Sequence, residues 1–430
     1  RTLEAAGVHD IWVVIPRDGE VIRETLGERV NYVLQAEPRG TGDAVRQVEP
    51  LLPHDERRQV LVLYGDMPLV TADSVRELLR RHMAAGDAAT LVSVAQENPA
   101  GYGRIIRSDD RSFLRVVEYA DATEVERAIR EVNAGLYAFA RGPLFTALQG
   151  ISPVNAHGEY YLVDVLPLIM AAGGRIGVLA LGAERAREFA GVNSRAQLAA
   201  VEAVLRERNV ARLLASGVTI VDPVTVYVGV DVRVAADTVI QPMTILEGRT
   251  TIGSGSEIGP GTHLVDSSVG DRCRVRQAVV EQSSVGDDVD IGPFAHLRPG
   301  CVIERGVQIG NFAEIKNSHV GEYSKAHHHS YIGDTDMGAH VNIGAGVVTV
   351  NYDGERKHRT TIGDRAFVGC NANLIAPVTV AADAYVAAGS TITQDVEPLA
   401  LGIARARQEN KSGWVARRFA GRTEDEGAEK

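Results

Sequence analysis

The sequence predicts two domains of different class: a doubly wound α/β sheet over residues 1–193 and a parallel β-helix over residues 218–398. A helical linker at 194–217 joins them, and a tail at 399–430 follows. Three observations carry this reading. Short apolar runs alternate with amphipathic stretches in the first half, aliphatic residues return every six positions in the second, and a charged segment with neither pattern lies between. At 430 residues the chain also exceeds what one compact core usually holds.

In the first half, IWVVI (11–15), VNYVLQAE (30–37), VLVLYGD (60–66) and ATLVSVA (89–95) read as buried strands. VRELLRRHMAAG, between the last two, reads as a helix closed by Gly86. Such alternation predicts a mostly parallel sheet with ligands at the carboxyl ends of its strands. SRAQLAAVEAVLRERNVARLLASG (194–217) is charged along its length and reads as a spacer helix rather than a core element.

From about residue 220 the inward aliphatics are Ile252, Ile258, Leu264, then Val285, Ile291, Leu297, Ile303, Ile309, Ile315, then Ile362, Val368, Leu374, Val380, Val386 and Ile392. Glycine often follows directly, as in Ile309-Gly310 and Ile343-Gly344. Each coil is then a triangle of short strands, with aliphatics inside and small residues at tight corners. Ordinary hairpins would instead show alternation over longer runs and Asn-Gly turns. The rhythm predicts two interruptions, at Tyr323–Ser330 and at NYDGERKHRT (351–360), and loops inserted into a solenoid tend to bind ligands. The tail turns basic and then acidic, and its end reads as disordered.

Composition excludes several functions. A net charge of −11 argues against nucleic acid or an anionic membrane as the main partner, so any phosphate must be caught by local cations. Cys273, Cys301 and Cys370 are widely spaced, odd in number and without CxxC pairing, which fits a reducing cytoplasm better than a disulfide framework or zinc ribbon. No segment approaches the ~20 apolar residues of a membrane span. The sequence opens at Arg1 inside what reads as a helix, and is expected to be incomplete at its N-terminus.

The richest chemistry lies between Glu314 and Asn351. Imidazole as a side-chain type exchanges protons near neutral pH, so His328 suits a general base, with Glu314 as a carboxylate to steady it. Arg298 and Lys316 fall on neighbouring coils and suit a phosphate. Asn342 and Asn351 offer neutral hydrogen bonds to sugar hydroxyls or a thioester carbonyl. Singly, each has an ordinary reading as a solvated surface group. His327, His328 and His329 alternate in direction on an extended segment, so they do not converge on one metal.

LRPG (297–300), GNFAEIKN (310–317), KAHHHSYIGD (325–334), VNIGAG (341–346), NYDG (351–354) and FVGCNANLIAPV (367–378) together resemble the acetyltransferase half of the bifunctional N-acetylglucosamine-1-phosphate uridylyltransferase/glucosamine-1-phosphate acetyltransferase family. Likeness to hexapeptide-repeat transferases implies a left-handed coil, against the usual right-handed crossover. The resemblance implies acetyl transfer from acetyl-CoA to the amine of glucosamine 1-phosphate, with His328 as base. Arg298 and Lys316 would hold the sugar phosphate, Tyr331 and Asn342 the sugar. Ala345, Asn351, Tyr352, Cys370, Ala388 and Arg405 would line the acetyl-CoA site. Two departures stand out: Cys370 replaces an expected serine, and His327 an expected glycine. The family is trimeric, so Trp414, Arg417 and Arg418 would reach a neighbour's CoA.

LQAEPRGTGDA (34–44), YGDMP (64–68), GYGRI (101–105), VVEYADAT (116–123), EVNAGLY (131–137), GEYYLVD (158–164) and GVNSR (191–195) follow in the order of the family's uridylyltransferase half. That likeness implies Gln35, Gly40 and Thr41 for uracil, and Tyr64 and Gly65 for the nucleotide. Gly103, Glu118 and Asn133 would hold the amino sugar, and Asp66 and Asn193 a magnesium ion that neutralises the phosphates of UTP. The family's opening glycine-rich loop, with its Arg and downstream Lys, is not found in the sequence, so the nucleotidyltransferase domain is expected to be incomplete and its activity weak. The expected enzyme is thus a cytoplasmic homotrimer acting on glucosamine 1-phosphate, acetyl-CoA and UTP. Two alternatives are a sugar-1-phosphate nucleotidylyltransferase with a non-catalytic β-helix, and a trimeric zinc hydratase using His319, His328 and His340.

Overall fold

The structure, a computed structural model, describes residues 1–55 and 57–420. They form two compact units, Arg1–Val204 and Leu205–Lys430. In the first, the expected strands form as β1 (Trp12–Ile15), β2 (Asn31–Leu34), β3 (Gln59–Leu63) and β4 (Ala89–Ala95). Helix α1 (Thr41–Val48) follows β2, and α2 (Ala72–Ala85) links β3 to β4. Thr71 caps α2 by accepting the Ser74 amide, and Gly86 closes it in the left-handed conformation at φ 61°.

The sheet is mixed rather than mostly parallel. Residues 101–140, read in the sequence only as motifs, form β5 (Arg104–Arg107), β6 (Phe113–Val117) and β7 (Glu131–Ala140). β7 enters antiparallel between β3 and β4, while β4 pairs parallel with β8 (Ile176–Leu181). β1 and β2 form a separate parallel pair. The physical reason is the composition of β7: EVNAGLYAFA buries both faces, so it takes the central position that alternation alone assigns to a parallel strand.

The expected spacer helix is α3 (Arg195–Ala215). Its second half is not merely a spacer. Val210 and Leu213 are buried in one cluster with Val226, Val228 and Val232, and the Asn209 side chain donates to the Val228 carbonyl at 2.9 Å. An open solenoid end exposes its apolar core, and this turn of helix covers it.

Every inward aliphatic named above is buried, and the strands from Thr219 to Gly402 pair in parallel, one coil upon the next. Three faces result. The first carries Lys325, Asn342 and Phe367; the second Glu314, Tyr331 and Val348; the third Val302, His319 and Asp336. The predicted interruption at Tyr323–Ser330 does not occur. Gln308–Lys316 and Lys325–Gly333 are continuous paired strands, and Ala326, 3% exposed, takes the inward position six residues after Val320. An alanine where the pattern shows larger aliphatics hid the register. The interruption at 351–360 is real: it is a loop closed by a Tyr352–Lys357 bridge. The basic part of the tail includes a short helix, Trp414–Arg418. Its acidic end, expected to be disordered, lies outside the described residues.

Candidate active sites

In the β-helix, corner residues stack in columns because each coil repeats the one before. His328 pairs in register with Asn311 on the preceding coil. The next coils place Ala345, Cys370 and Ala388 at the same corner, joined by backbone bonds from Gly346 to His329, Asn371 to Ala345 and Gly389 to Cys370. Small residues permit this: a Cβ on Gly344 would lie 2.6 Å from the Cys370 nitrogen, and one on Gly369 equally close to that of Ala388. Arg405 Nη1 donates to the Ala388 carbonyl at 3.0 Å, which ties the tail to the end of the column. The structure thus brings the expected base and four expected acetyl-CoA residues into one line.

The partner of His328 is not Glu314. Nδ1 of His328 lies 3.2 Å from Asn311 Oδ1, so it donates there and leaves Nε2 with the free lone pair. Glu314 instead accepts from Arg298 Nη1 at 3.0 Å, one coil away. The reason is geometric: Glu314 projects from the second face in register with Tyr331, whereas His328 sits at the corner. His327 bonds Gln308 at 2.8 Å, and burial lowers its pKa.

Arg298 and Lys316 share the second face with Tyr331. A third cation, which motif reading missed, joins them. Lys357 from the inserted loop stands within hydrogen-bonding reach of Lys316, whose like charge pushes its pKa down. Two ammonium groups this close repel each other, a repulsion that an anion between them would relieve. Asn342 stands apart on the first face, across the His328 corner from this set. Tyr352 opens the loop and is exposed. His319 bonds Glu304, His340 stacks on Tyr323, and among the described residues no group of three His, Cys, Asp or Glu side chains could hold a metal.

In the first unit the predicted residues form a linked chain. Gln35 Nε2 donates to the Gly40 carbonyl at 3.2 Å and to Asp43 at 2.8 Å. Gly40, at φ 108°, lies so close to Tyr160 that a Cβ would be 2.7 Å from its carbonyl oxygen. Thr41 Oγ1 accepts the Leu162 amide at 3.0 Å and also reaches the Tyr64 hydroxyl. That hydroxyl lies 3.3 Å from Tyr137, which accepts from Asn133 at 2.6 Å, and burial pushes the Tyr64 pKa up to about 12. The Asn133 amide bonds the Gly103 carbonyl at 2.9 Å. A Cβ on Gly103 would stand 3.2 Å from both carboxylate oxygens of Glu118, whose carboxyl is raised first by burial and then by Asp164 and Asp121. Gly65 is exposed beside Asp66. Asp66 and Asn193 flank Gly191: a Cβ there would lie 2.8 Å from Asp66 Oδ2 and 3.6 Å from Asn193 Nδ2.

Residues 1–179 match the nucleotidyl transferase family, and residues 282–317 the bacterial transferase hexapeptide (six repeats) family. The chain is 43% identical over 426 residues to the bifunctional protein GlmU of Acetivibrio thermocellus, covering 99% of this chain and 92% of that one. It is 48% identical over 417 residues to that of Thermoanaerobacter pseudethanolicus (97% and 90%), and 46% over 402 residues to that of Bacillus velezensis (94% and 88%). With a nucleotidyltransferase fold in one unit and a left-handed hexapeptide β-helix in the other, the chain belongs to the family of bifunctional GlmU proteins.

Proposed function

We propose that the chain transfers acetyl from acetyl-CoA to the amine of glucosamine 1-phosphate, and uridylyl from UTP to N-acetylglucosamine 1-phosphate, releasing diphosphate and UDP-N-acetylglucosamine. The observation that carries the first activity is the single corner column of His328, Ala345, Cys370 and Ala388, flanked by Arg298, Lys316 and Lys357. The column suits an extended acyl carrier, and the cations suit a sugar phosphate. His328, with Nδ1 occupied by Asn311, takes the amine proton on Nε2 as nitrogen attacks the thioester carbonyl; the C–S bond then breaks and thiolate leaves.

For the second activity, Gln35, Gly40 and Thr41 would take a planar base at the turn where Gly40 lets the backbone approach closely, and Gly103, Glu118 and Asn133 would bond the sugar. Asp66 fits Mg2+ as a hard oxygen donor beside Gly191, and Asn193 would join it through Oδ1 once its amide turns, since its atom nearest Gly191 is Nδ2. Bound there, the ion would neutralise phosphate charge.

An assembly of copies, a trimer in our reading, is supported by two features. Asn342 lies across the corner from the phosphate cations, so one chain leaves the sugar half-enclosed. Phe294 and Phe312 also stack at 5.4 Å on a corner, each more than half exposed. No helix among the described residues is long and apolar enough to cross a membrane, and our reading places the enzyme in the cytoplasm.

The test is thiol release from acetyl-CoA with glucosamine 1-phosphate. His328→Ala is expected to lower kcat by roughly 10²–10⁴-fold with the fold retained. Full acetylation by that variant would overturn the assignment and favour a non-catalytic β-helix.

A further inference from the structure

A buried carboxylate beside the acetyl-transfer site has no part in the mechanism above. Asp334 is 5% exposed and left-handed at φ 49°. Its backbone is held on both sides, its amide by the Lys316 carbonyl at 2.9 Å and its carbonyl by the Thr360 amide at 3.1 Å. Burying a carboxylate is expensive unless strong donors meet it. Among the described residues Asp334 makes no ion pair; Lys357 and Arg359 only feel its charge from nearby. Its donors are two side-chain amides in one corner column. Asn317 Nδ2 donates to Oδ1 from the coil before, and Asn351 Nδ2 donates to Oδ2 from the coil after.

A carboxylate accepts and never donates, so an amide facing it must present its N–H end. Asn351, 7% exposed, also points Nδ2 toward the Tyr331 hydroxyl at 3.4 Å. Both interactions occupy the same end of the amide. Asn351 Oδ1 is left without a hydrogen-bond partner among the described residues, at the root of the inserted loop and beside the face that carries Tyr331. Gly333 keeps that region open for the Tyr331 side chain, since a Cβ there would lie 2.5 Å from its hydroxyl.

We propose that Asp334 is a positioning residue which locks the Asn351 amide so that Oδ1 serves the acetyl-transfer site as an acceptor for a substrate N–H. The inference rests on the acetyltransferase reading. Two substrate groups have the required chemistry, the amine of the sugar phosphate and an amide N–H of the pantetheine arm. An oxygen held this way serves a hydrogen-bond donor and gives nothing to a group that can only accept.

The experiment uses the full chain and steady-state thiol release, with KM for each substrate and kcat measured separately for Asp334→Asn, Asn351→Ala, the double variant and Asn317→Ala. Asp334→Asn no longer forbids the flipped amide. It is expected to raise one KM about tenfold with kcat within threefold, and which KM moves identifies the donor. Because Asp334 acts through Asn351, the double variant should match Asn351→Ala within twofold. Asn317→Ala removes the other amide and should leave both KM values within twofold. Multiplying losses in the double variant, or a KM rise in Asn317→Ala equal to that of Asp334→Asn, would overturn the inference in favour of a purely structural ladder. If Asp334→Asn does not fold, the Asn317→Ala outcome decides. Thiol release by the unaltered chain, measured alongside, tests the function reading separately.

Discussion

Replacing Arg298 by alanine separates a phosphate contact from a structural one. Among the described residues its one ion pair is with Glu314, at 3.0 Å, and each side chain is 40% exposed. An exposed pair of this kind contributes about 0–1 kcal/mol, so the fold should barely register its loss. A charge-assisted bond to a sugar phosphate is worth about 1.5–3 kcal/mol, or about 10- to 150-fold in affinity. The larger effect therefore belongs to the substrate. The assay is thiol release with glucosamine 1-phosphate and, in parallel, with glucosamine. The unaltered chain should prefer the phosphorylated sugar, and Arg298→Ala should raise KM for that substrate by at least tenfold while leaving the turnover of glucosamine nearly unchanged. Equal losses with both sugars would refute the reasoning, because an arginine that holds phosphate cannot matter to a substrate without one.

Three further outcomes follow from packing and burial. Ile315→Ala empties a fully buried position between Leu297 and Ile332 and should destabilise the β-helix by about 2–5 kcal/mol, seen as an earlier denaturant midpoint for the second unit. Gly40→Ala forces a Cβ against the Tyr160 backbone at 2.7 Å and strains a φ of 108°, so it should abolish UTP binding, read by calorimetry, before it changes the acetyl transfer. His82 is buried between Thr90 and Gln59, and burial lowers its pKa below the usual value near 6.5. The folded state then resists protonation that the unfolded chain accepts, so stability present above about pH 6.5 is lost as pH falls toward the folded pKa. Denaturant unfolding at pH 7.5 and 5.5 should show this loss for the first unit, and His82→Gln should shrink it; an undiminished shift would refute the linkage.

Much of this was legible from spacing. The inward Ile, Val and Leu positions were readable because a triangular coil returns the same side-chain direction every six residues. Ala326 broke the visible pattern without breaking the register, since burial at a tight position tolerates a small residue. The antiparallel place of β7 was not legible, because a strand buried on both faces looks alike in either direction. His328, Arg298 and Lys316 were recognisable as residue types, whereas Asn311, Asp334 and Lys357 were not. Their partners lie a coil or a loop away, and nothing local marks them. The signal existed all the same: Asn311 to His328, Asn317 to Asp334 and Asp334 to Asn351 are each seventeen positions apart, the length of one coil in this region.

The column that runs from His328 to Ala388 is also a ruler. Adjacent parallel strands lie about 4.8 Å apart, so the three steps from His328 through Ala345 and Cys370 to Ala388 measure roughly 14 Å along the axis. Solenoids gain and lose whole repeats without reorganising their neighbours. Inserting one coil between the histidine and the Arg405 anchor would keep every local contact and lengthen the track by a fixed increment. The reach of the acyl carrier that such a scaffold accepts is therefore a counted quantity, adjustable in integer steps by the number of coils separating the reacting end from the far end.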